Sequence, residues 1–438
     1  MSRRAVAPIL LVALLIPVTM ALLAPMAAVA QPAVARNRLP NGLTVVVREN
    51  STAPVVAYSL LVKMGTRTET PDNAGISNML QIMLVRGTEK MSGEEIVAAA
   101  DRMGGTIDAY GDEDYSEITA TALSRNWQSM LELVGDVALR PTVPAGTLTG
   151  VRDFVVRQIR NRGDKPYDVA TDRMRAALYG AHPYSWDPLG RRESVERLTR
   201  ETLLAYYRRQ YVPGQMVLAV SGDVKTADVM TQVQRIFGAM PAGSAETPVR
   251  PTPPPMAPTR DVFSVPGAQA QIFMGALAPP FTHPDFAALK VMTAILGGGM
   301  ASRFFSDLRD RQALAYSTRA QYPAHLDTTS FVAILGTAPD NAQKAEAALK
   351  DQLARIQAEP ASEEEVAVAR SYVVGSQAMD RRTNARQAWY LAAAELAGLG
   401  HDFFDVYAAN VKKVTRADVQ RVAKQYLGVM RTVIVQPQ

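Results

Sequence analysis

The 438-residue chain contains no cysteine, so neither a disulfide nor a cysteine nucleophile contributes to its stability or chemistry. Stability must come from packing of apolar side chains, and 47% of the residues are hydrophobic. An exported chain of this size without disulfides is more typical of the bacterial periplasm than of small secreted proteins. Because one ordinary core rarely serves a chain this long, we expect two or more domains.

Histidine is scarce as well, with four in the whole chain: His182, His283, His325 and His401. No two of them have the spacing that would place a pair of imidazoles on one helix face. Charge is nearly balanced, at 47 basic against 42 acidic residues, without a basic stripe carrying interleaved aromatics. This argues against a nucleic-acid partner. Nucleophile-elbow and Walker-type motifs are also absent from the sequence.

The N-terminus has the pattern of an export signal. Arg3 and Arg4 precede an apolar run over residues 5–24, and residues 28–30 (AVA) supply small side chains where a signal peptidase cleaves. We predict a signal peptide over residues 1–30 and a periplasmic location, without membrane attachment after cleavage. The alternative is an uncleaved membrane anchor facing the periplasm, because the run is long. Two prolines interrupt the run and favour cleavage.

The rest of the sequence indicates two similar halves. Residues 195–212 and 411–429 both carry an apolar residue, then Thr-Arg and an acidic residue, and both precede an apolar strand. Each stretch is interpreted as containing an amphipathic helix that begins after the threonine cap. We therefore predict the α+β class, with one mixed α/β-layer unit duplicated. The predicted boundaries are an N-terminal domain over 31–240, a proline-rich linker over 241–260 and a C-terminal domain over 261–438.

One predicted helix, GISNMLQIMLVRGT at residues 75–88, is apolar enough to be buried, yet it contains two carboxamides, Asn78 and Gln81. Burying an amide costs stability unless its hydrogen bonds are satisfied. We expect the two amides either to hydrogen-bond to each other or to be satisfied by nearby backbone. In both cases they are neutral occupants of the interior.

The segment around this helix, LPNGLTVVVRENSTAPVVAYSLLVKMGTRTETPDNAGISNMLQIMLVRGT, resembles the pitrilysin–insulinase family, which includes the mitochondrial processing peptidases. The resemblance continues through residues 104–110, 182–224 and 294–317, in the family's order. It implies two homologous α+β domains that face each other across a peptide-binding chamber. It also implies a zinc peptidase ancestry, which directs attention to the metal-binding positions.

Catalytic members of that family carry H-x-x-E-H on the corresponding helix, where the two histidines hold zinc and the glutamate activates water. A glutamate on a later helix completes the metal shell. By resemblance, the ligand positions here are Asn78, Ile82 and Gln158, and the general-base position is Gln81. Isoleucine has no donor atom, and carboxamides are weak, uncharged ligands. We therefore predict that this chain holds no metal cofactor.

The resemblance assigns roles to two further groups. Arg309 and Tyr316, in LRDRQALAY, match residues that the family presents from the C-terminal domain toward the scissile peptide. Such an arginine can hold a carbonyl, and such a phenol can donate to a developing oxyanion. The plainer interpretation is an exposed helical arginine and a core tyrosine. Asp108, Ala109 and Tyr110 match an edge strand that pairs with extended substrate.

Loss of the zinc positions together with retention of Arg309 and Tyr316 fits a site shared between two chains. The sequence-based hypothesis is a zinc-free, non-catalytic subunit of a periplasmic heterodimeric metallopeptidase. Its homologous partner would carry the zinc, and extended peptides would be the substrate. The alternative is a peptide-binding or scaffold protein of the cell envelope without a proteolytic role.

Overall fold

The structure is a computed structural model that describes residues 34–243, 245 and 250–437. The predicted signal peptide and part of the predicted linker lie outside the described residues. Within the described part, two β-sheets and their helices form one compact unit. None of the helices described there combines the length and the apolar character that crossing a membrane requires.

A six-stranded sheet organises the first half of the chain. Its order is β1-β2-β6-β3-β5-β4, and only the β2–β6 pair is parallel. The strands are β1 (Val34–Arg38), β2 (Thr44–Glu49), β3 (Val55–Val62), β4 (Thr106–Gly111), β5 (Ser116–Leu123) and β6 (Met216–Gly222). Its helices are α1 (Ile76–Leu84), α2 (Gly93–Arg102), α3 (Trp127–Leu139), α4 (Ala145–Gly163), α5 (Pro166–Tyr179), α6 (Arg192–Arg197), α7 (Arg200–Gln210) and α8 (Thr226–Phe237).

A five-stranded sheet organises the second half. Its strands are β7 (Thr259–Val265), β8 (Ala270–Ala278), β9 (Ser317–Gln321), β10 (Thr329–Thr337) and β11 (Arg431–Pro437). Its helices are α9 (Phe286–Gly297), α10 (Ala342–Ala358), α11 (Glu363–Asp380), α12 (Asn384–Leu396), α13 (Phe403–Lys413) and α14 (Arg416–Tyr426). A wider helical segment, Phe304–Arg311, precedes β9.

The two sheets share one topology. The second sheet has the order β7-β11-β8-β10-β9, which repeats β2-β6-β3-β5-β4 of the first. In each case the last strand of the half pairs in parallel with its first core strand, and the remaining pairs are antiparallel. The predicted α+β class with a duplicated unit is therefore confirmed. The first sheet adds β1 as an extra edge strand.

The helix predicted within residues 195–212 begins after its threonine cap, as expected, and a separate short helix precedes it. The helical conformation is interrupted at Leu198 and Thr199, whose backbones are extended. Helix α6 therefore ends there, and α7 begins as a separate helix. The Thr199 hydroxyl accepts a hydrogen bond from the backbone N–H of Thr202, which is the geometry of an N-cap. Thr415 likewise separates α13 from α14 and caps the latter. The pattern marked the helix starts correctly but concealed the preceding breaks.

Each half contributes one helix that packs on the sheet of the other half. No pattern in the sequence predicted this arrangement. Helix α5 of the first half packs on β8 and β11 of the second sheet, and α12 of the second half packs on β3 and β6 of the first. Met174 thereby joins a core cluster with Phe273, and Leu391 joins one with Leu61. Each fully buried side chain of this kind contributes about 1.5–3 kcal/mol. Separating the halves would therefore expose two apolar clusters.

Ion pairs also join the halves. The buried Arg67 guanidinium lies 3.3 Å from Asp114 and 3.2 Å from Asp327, and Arg250 lies 2.6 Å from the same Asp327. His325 contacts Asp114 at 3.3 Å, and this carboxylate raises the pKa of the imidazole against the opposing effect of burial. Removal of one partner would leave an unpaired buried charge and destabilise the fold. These ion pairs therefore hold the two sheets in their relative placement.

Candidate functional site

The start of helix α1 is held by a buried carboxylate. Glu69 accepts hydrogen bonds from the backbone N–H groups of Gly75 (2.8 Å) and Ser77 (3.0 Å) and from the indole of Trp186 (3.1 Å). Burial raises the pKa of Glu69, opposed by these bonds. Gly75 has φ +95°, and a Cβ there would lie 2.6 Å from the Leu189 carbonyl oxygen. The helix carrying the former metal positions is thus rigidly anchored.

The four positions assigned by the resemblance lie on two helices that pack against each other. Asn78, Gln81 and Ile82 lie on α1, and Gln158 lies on α4, which packs against α1. Gln81 is fully buried, whereas the other three are half-buried. The two helices that carry these positions are therefore neighbours in the fold.

The hydrogen bonds of the two amides differ from the expectation. Gln81 donates from Nε2 to the hydroxyl of Tyr211 at 2.7 Å. Its Oε1 and the Nδ2 of Asn78 are buried and find no partner among the described residues, so the expected bond from Asn78 to Gln81 is not formed. An unpaired buried polar group costs about 1–3 kcal/mol. Of the two amides, only that of Gln81 forms a hydrogen bond to another described residue.

These residues do not fit a zinc ion. Zinc is held in proteins by imidazole, thiolate and carboxylate, and the four positions offer three carboxamides and a hydrocarbon. The Gln81 nitrogen is already engaged with Tyr211, and Ile82 supplies no lone pair. Nowhere in the described part of the chain do three or more His, Cys, Asp or Glu side chains group as a metal site requires. No catalytic step through a metal follows from this chain's own residues.

Asp108, Ala109 and Tyr110 lie on β4, the free edge of the first sheet. Ala109 points inward, while Asp108 and Tyr110 are exposed, and Asp108 accepts a hydrogen bond from the Ala109 N–H at 2.8 Å. Burial of half the ring and nearby carboxylates raise the pKa of Tyr110 to about 12. The next residue, Gly111, packs on the α1 backbone, where a Cβ would lie 3.2 Å from the Cα of Asn78. The edge strand therefore adjoins the former metal positions.

Arg309 and Tyr316 lie in the second half, close to its edge strand β9. Arg309 is exposed in the Phe304–Arg311 segment, and its guanidinium carbon lies 4.6 Å from the centroid of the Phe305 ring. Tyr316 is 60% exposed, and its backbone N–H donates to the Gly336 carbonyl at 2.8 Å. The alternative that Tyr316 is a core residue is therefore wrong. Across the described residues, no hydrogen bond or ion pair links this pair to the α1 positions.

Sequence reasoning missed two residues that shape the site. Tyr211, just after α7, binds Gln81, and Tyr206 on the same helix lies 3.0 Å from the Ser77 hydroxyl, oxygen to oxygen. Both tyrosines stand far from α1 in the chain, so no local pattern pairs them with it. Glu69 belonged to the stretch that carried the resemblance, but its role in capping α1 required the tertiary structure.

Comparison with known proteins identifies the class of this fold. Residues 44–189 match the family model described as insulinase (peptidase family M16), and residues 197–373 match the one described as peptidase M16 inactive domain. The chain belongs to the M16 peptidase family, as the resemblance indicated. The positions at issue on α1 and α4 lie in the part matched by the insulinase model.

Individual relatives agree with this assignment. An uncharacterized zinc protease of Bacillus subtilis is 26% identical over 77% of this chain and 81% of its own length. One of Mycobacterium leprae is 26% identical over 90% of both chains. Among solved structures, a protease from Helicobacter pylori has a TM-score of 0.87 at 21% identity, covering 93% of this chain and 100% of its own. A peptidase M16 inactive domain from Pseudomonas fluorescens has the same score and identity, covering 92% and 98%.

Proposed function

We propose that this chain is the zinc-free, non-catalytic subunit of a heterodimeric periplasmic metallopeptidase. The observation that carries the proposal is the replacement of every metal and base position on α1 and α4, within a framework that still anchors both helices. A chain that offers carboxamides and isoleucine there can neither hold zinc nor remove a proton from water. Hydrolysis would then require a homologous partner that has both.

Arg309 and Tyr316 would be this chain's contribution to the partner's site. Their exposure supports the proposal, because a residue that acts on a substrate held by another chain must reach the surface. The guanidinium would hold a substrate carbonyl, and the phenol would donate to the oxygen that becomes negative in the transition state. The edge strand β4, with Asp108 to Tyr110, would pair with an extended peptide.

The test is reconstitution with the zinc-bearing relative from the same organism. Peptide cleavage by the mixture should exceed cleavage by either chain alone, and Arg309→Ala should reduce turnover roughly 10²–10³-fold. Arg311→Ala is the matched control, because Arg311 is an exposed arginine of the same segment, paired with Asp307 at 3.2 Å. That control should leave turnover unchanged.

Metal analysis of the two chains separated after co-purification from the periplasm complements the assay. We expect zinc with the partner and none with this chain. Cleavage that does not respond to this chain, or to Arg309→Ala, would refute the subunit assignment and favour the envelope-scaffold alternative. Stoichiometric zinc in the isolated chain together with peptidase activity would refute both.

A further inference from the structure

The second half contains a groove at the place that corresponds to the former metal cleft of the first half. Helix α9, edge strand β9 and helix α11 stand around it in the same way as α1, β4 and α4 stand in the first half. The groove has a volume of about 600 Å³. This falls within the range of roughly 300–1,000 Å³ that is usual for ligand pockets.

Seven aromatic residues line this groove. Two of these residues lie on α12, the helix of the second half that packs on the first sheet. Tyr322 follows β9, and the others lie on α9, α11 and α13. Aromatic walls bind apolar side chains with large contact area and little loss of conformational freedom. The aromatic lining residues are Phe286, Tyr322, Tyr372, Trp389, Tyr390, Phe404 and Tyr407.

The groove also carries uncompensated positive charge. The Lys290 ammonium donates to the Tyr322 carbonyl at 2.7 Å and lies 5.4 Å from the centroid of the Phe286 ring, and among the described residues no carboxylate pairs with it. Burial lowers the pKa of Lys290 to about 8, so the amine is mainly protonated at neutral pH. Arg319, on β9, likewise forms no ion pair within the described part of the chain.

The acidic lining residue does not balance these cations. Asp380 is 2.6 Å from the Arg386 guanidinium and accepts a hydrogen bond from the Tyr390 hydroxyl at 2.8 Å. Its charge is therefore already neutralised locally. A ligand that brings its own carboxylate would complete the electrostatics of the groove.

Strand β9 favours a peptide over other carboxylates. It pairs with β10 on one side and forms the edge of its sheet on the other, and Arg319 and Ala320 of this strand line the groove. An edge strand offers backbone donors and acceptors to an added extended strand. A fatty acid could use the aromatic walls and Lys290 but not these backbone groups.

We propose that the α9–β9–α11 groove binds the C-terminal end of an extended peptide. The peptide's terminal carboxylate would pair with Lys290, its last apolar side chains would pack on the aromatic walls, and its backbone would add to β9. This site lies in the opposite half from the former metal positions and needs no zinc-bearing partner. Its test on the isolated chain is therefore independent of the proposed catalytic complex.

The experiment measures fluorescence polarisation of an N-terminally labelled peptide that ends in phenylalanine. The free-acid peptide should bind, and the same peptide with a C-terminal amide should bind at least about tenfold more weakly, as expected for loss of one charge-assisted hydrogen bond. Lys290→Met should remove the difference between the two peptides. Lys344→Met, at an exposed lysine of α10, is the control and should retain it.

Arg319→Gln provides a second variant if Lys290→Met impairs folding, because Arg319 is exposed on the strand and its removal should also weaken the free-acid peptide. Equal binding of the acid and amide peptides, or no binding of either, would overturn the proposal. Displacement of the peptide by decanoate with equal or higher affinity would overturn the peptide assignment in favour of a fatty acid.

Discussion

Each half of this protein contains a cleft between equivalent helices and an edge strand, but the side chains at the two clefts differ. In the first half, Gln81 on the helix of this cleft is fully buried and donates a hydrogen bond to Tyr211. In the second half, the equivalent space remains a groove of about 600 Å³ with the Lys290 ammonium on its wall. Equal topology therefore does not imply equal chemistry, since a few side chains decide what a cleft can bind.

In both halves the helix lies in close contact with the edge strand, α1 with β4 and α9 with β9, but the glycine that allows the contact lies on different elements. In the first half the strand supplies the small residue, Gly111, against the α1 backbone. In the second half the helix supplies it, because a Cβ on Gly297 would lie 2.3 Å from the backbone nitrogen of Ala320 on β9. A contact of this kind can therefore be conserved in geometry while the glycine moves from one element to the other.

The largest expected effect is the conversion of the first cleft into a metal site. Asn78→His with Ile82→His and Gln158→Glu places two imidazoles on one face of α1 and a carboxylate on the adjoining α4. We expect about one zinc ion per chain, measured by metal analysis after dialysis. The variant that lacks Gln158→Glu should bind zinc more weakly. If the triple variant binds no zinc, the two helices do not retain the metal geometry.

A smaller effect is expected when the carboxylates at the starts of α1 and α9 are removed and the losses in free energy of unfolding are compared. Glu69→Ala leaves three buried donors without an acceptor and should destabilise the chain by about 3–5 kcal/mol in urea titration. Asp285→Ala, at the start of α9, removes the contacts to Arg421 (2.6 Å) and Tyr426 (2.8 Å) in a more exposed setting and should cost about 1 kcal/mol. Equal losses would show that both helices are anchored alike.

The smallest expected effect is the pH dependence of peptide binding in the second groove. Lys290, whose pKa is lowered to about 8, is charged below that pH and loses its proton above it. Affinity for the free-acid peptide should therefore fall by about tenfold between pH 7 and pH 9, measured by polarisation, while the amide peptide shows no such fall. The other ionisable lining residues are Arg319, Tyr322, Tyr372, Asp380, Tyr390 and Tyr407.

Several of these neighbours have pKa values displaced away from that pH range. The Arg386 partner lowers the pKa of Asp380, and burial raises the pKa of Tyr390 to about 12. Burial raises the pKa of Tyr322 and Tyr407 as well. A pH dependence that survives Lys290→Met would therefore point to a group outside the groove.

Local sequence patterns predicted much of the framework. The Thr-Arg patterns in residues 195–212 and 411–429 mark the starts of α7 and α14, because Thr199 and Thr415 cap backbone donors within one turn. The apolar strands predicted after these stretches became β6 and β11, each paired on both sides, since a buried strand needs apolar residues on both faces. The assignment of Asn78, Gln81 and Gln158 to one cleft is a prediction from the family resemblance.

Contacts between distant parts of the chain were not predictable in this way. The hydrogen bond from Gln81 to Tyr211 joins residues on different helices, and the exchange of α5 and α12 between sheets leaves no periodic trace. The aromatic groove required Lys290, Trp389 and Phe404 to converge from three helices. Neither capping nor periodicity contains information about such convergence.

By itself, the sequence determined the class of fold, the duplication and the absence of zinc-binding side chains at the former metal positions, because these depend on residue type and local spacing. Tertiary structure alone decided which amide is satisfied, which helix covers which sheet and where an uncompensated cation meets aromatic walls. The physical reason is that hydrogen bonding, burial and charge compensation depend on neighbours brought together by folding, and those neighbours lie far apart along the chain.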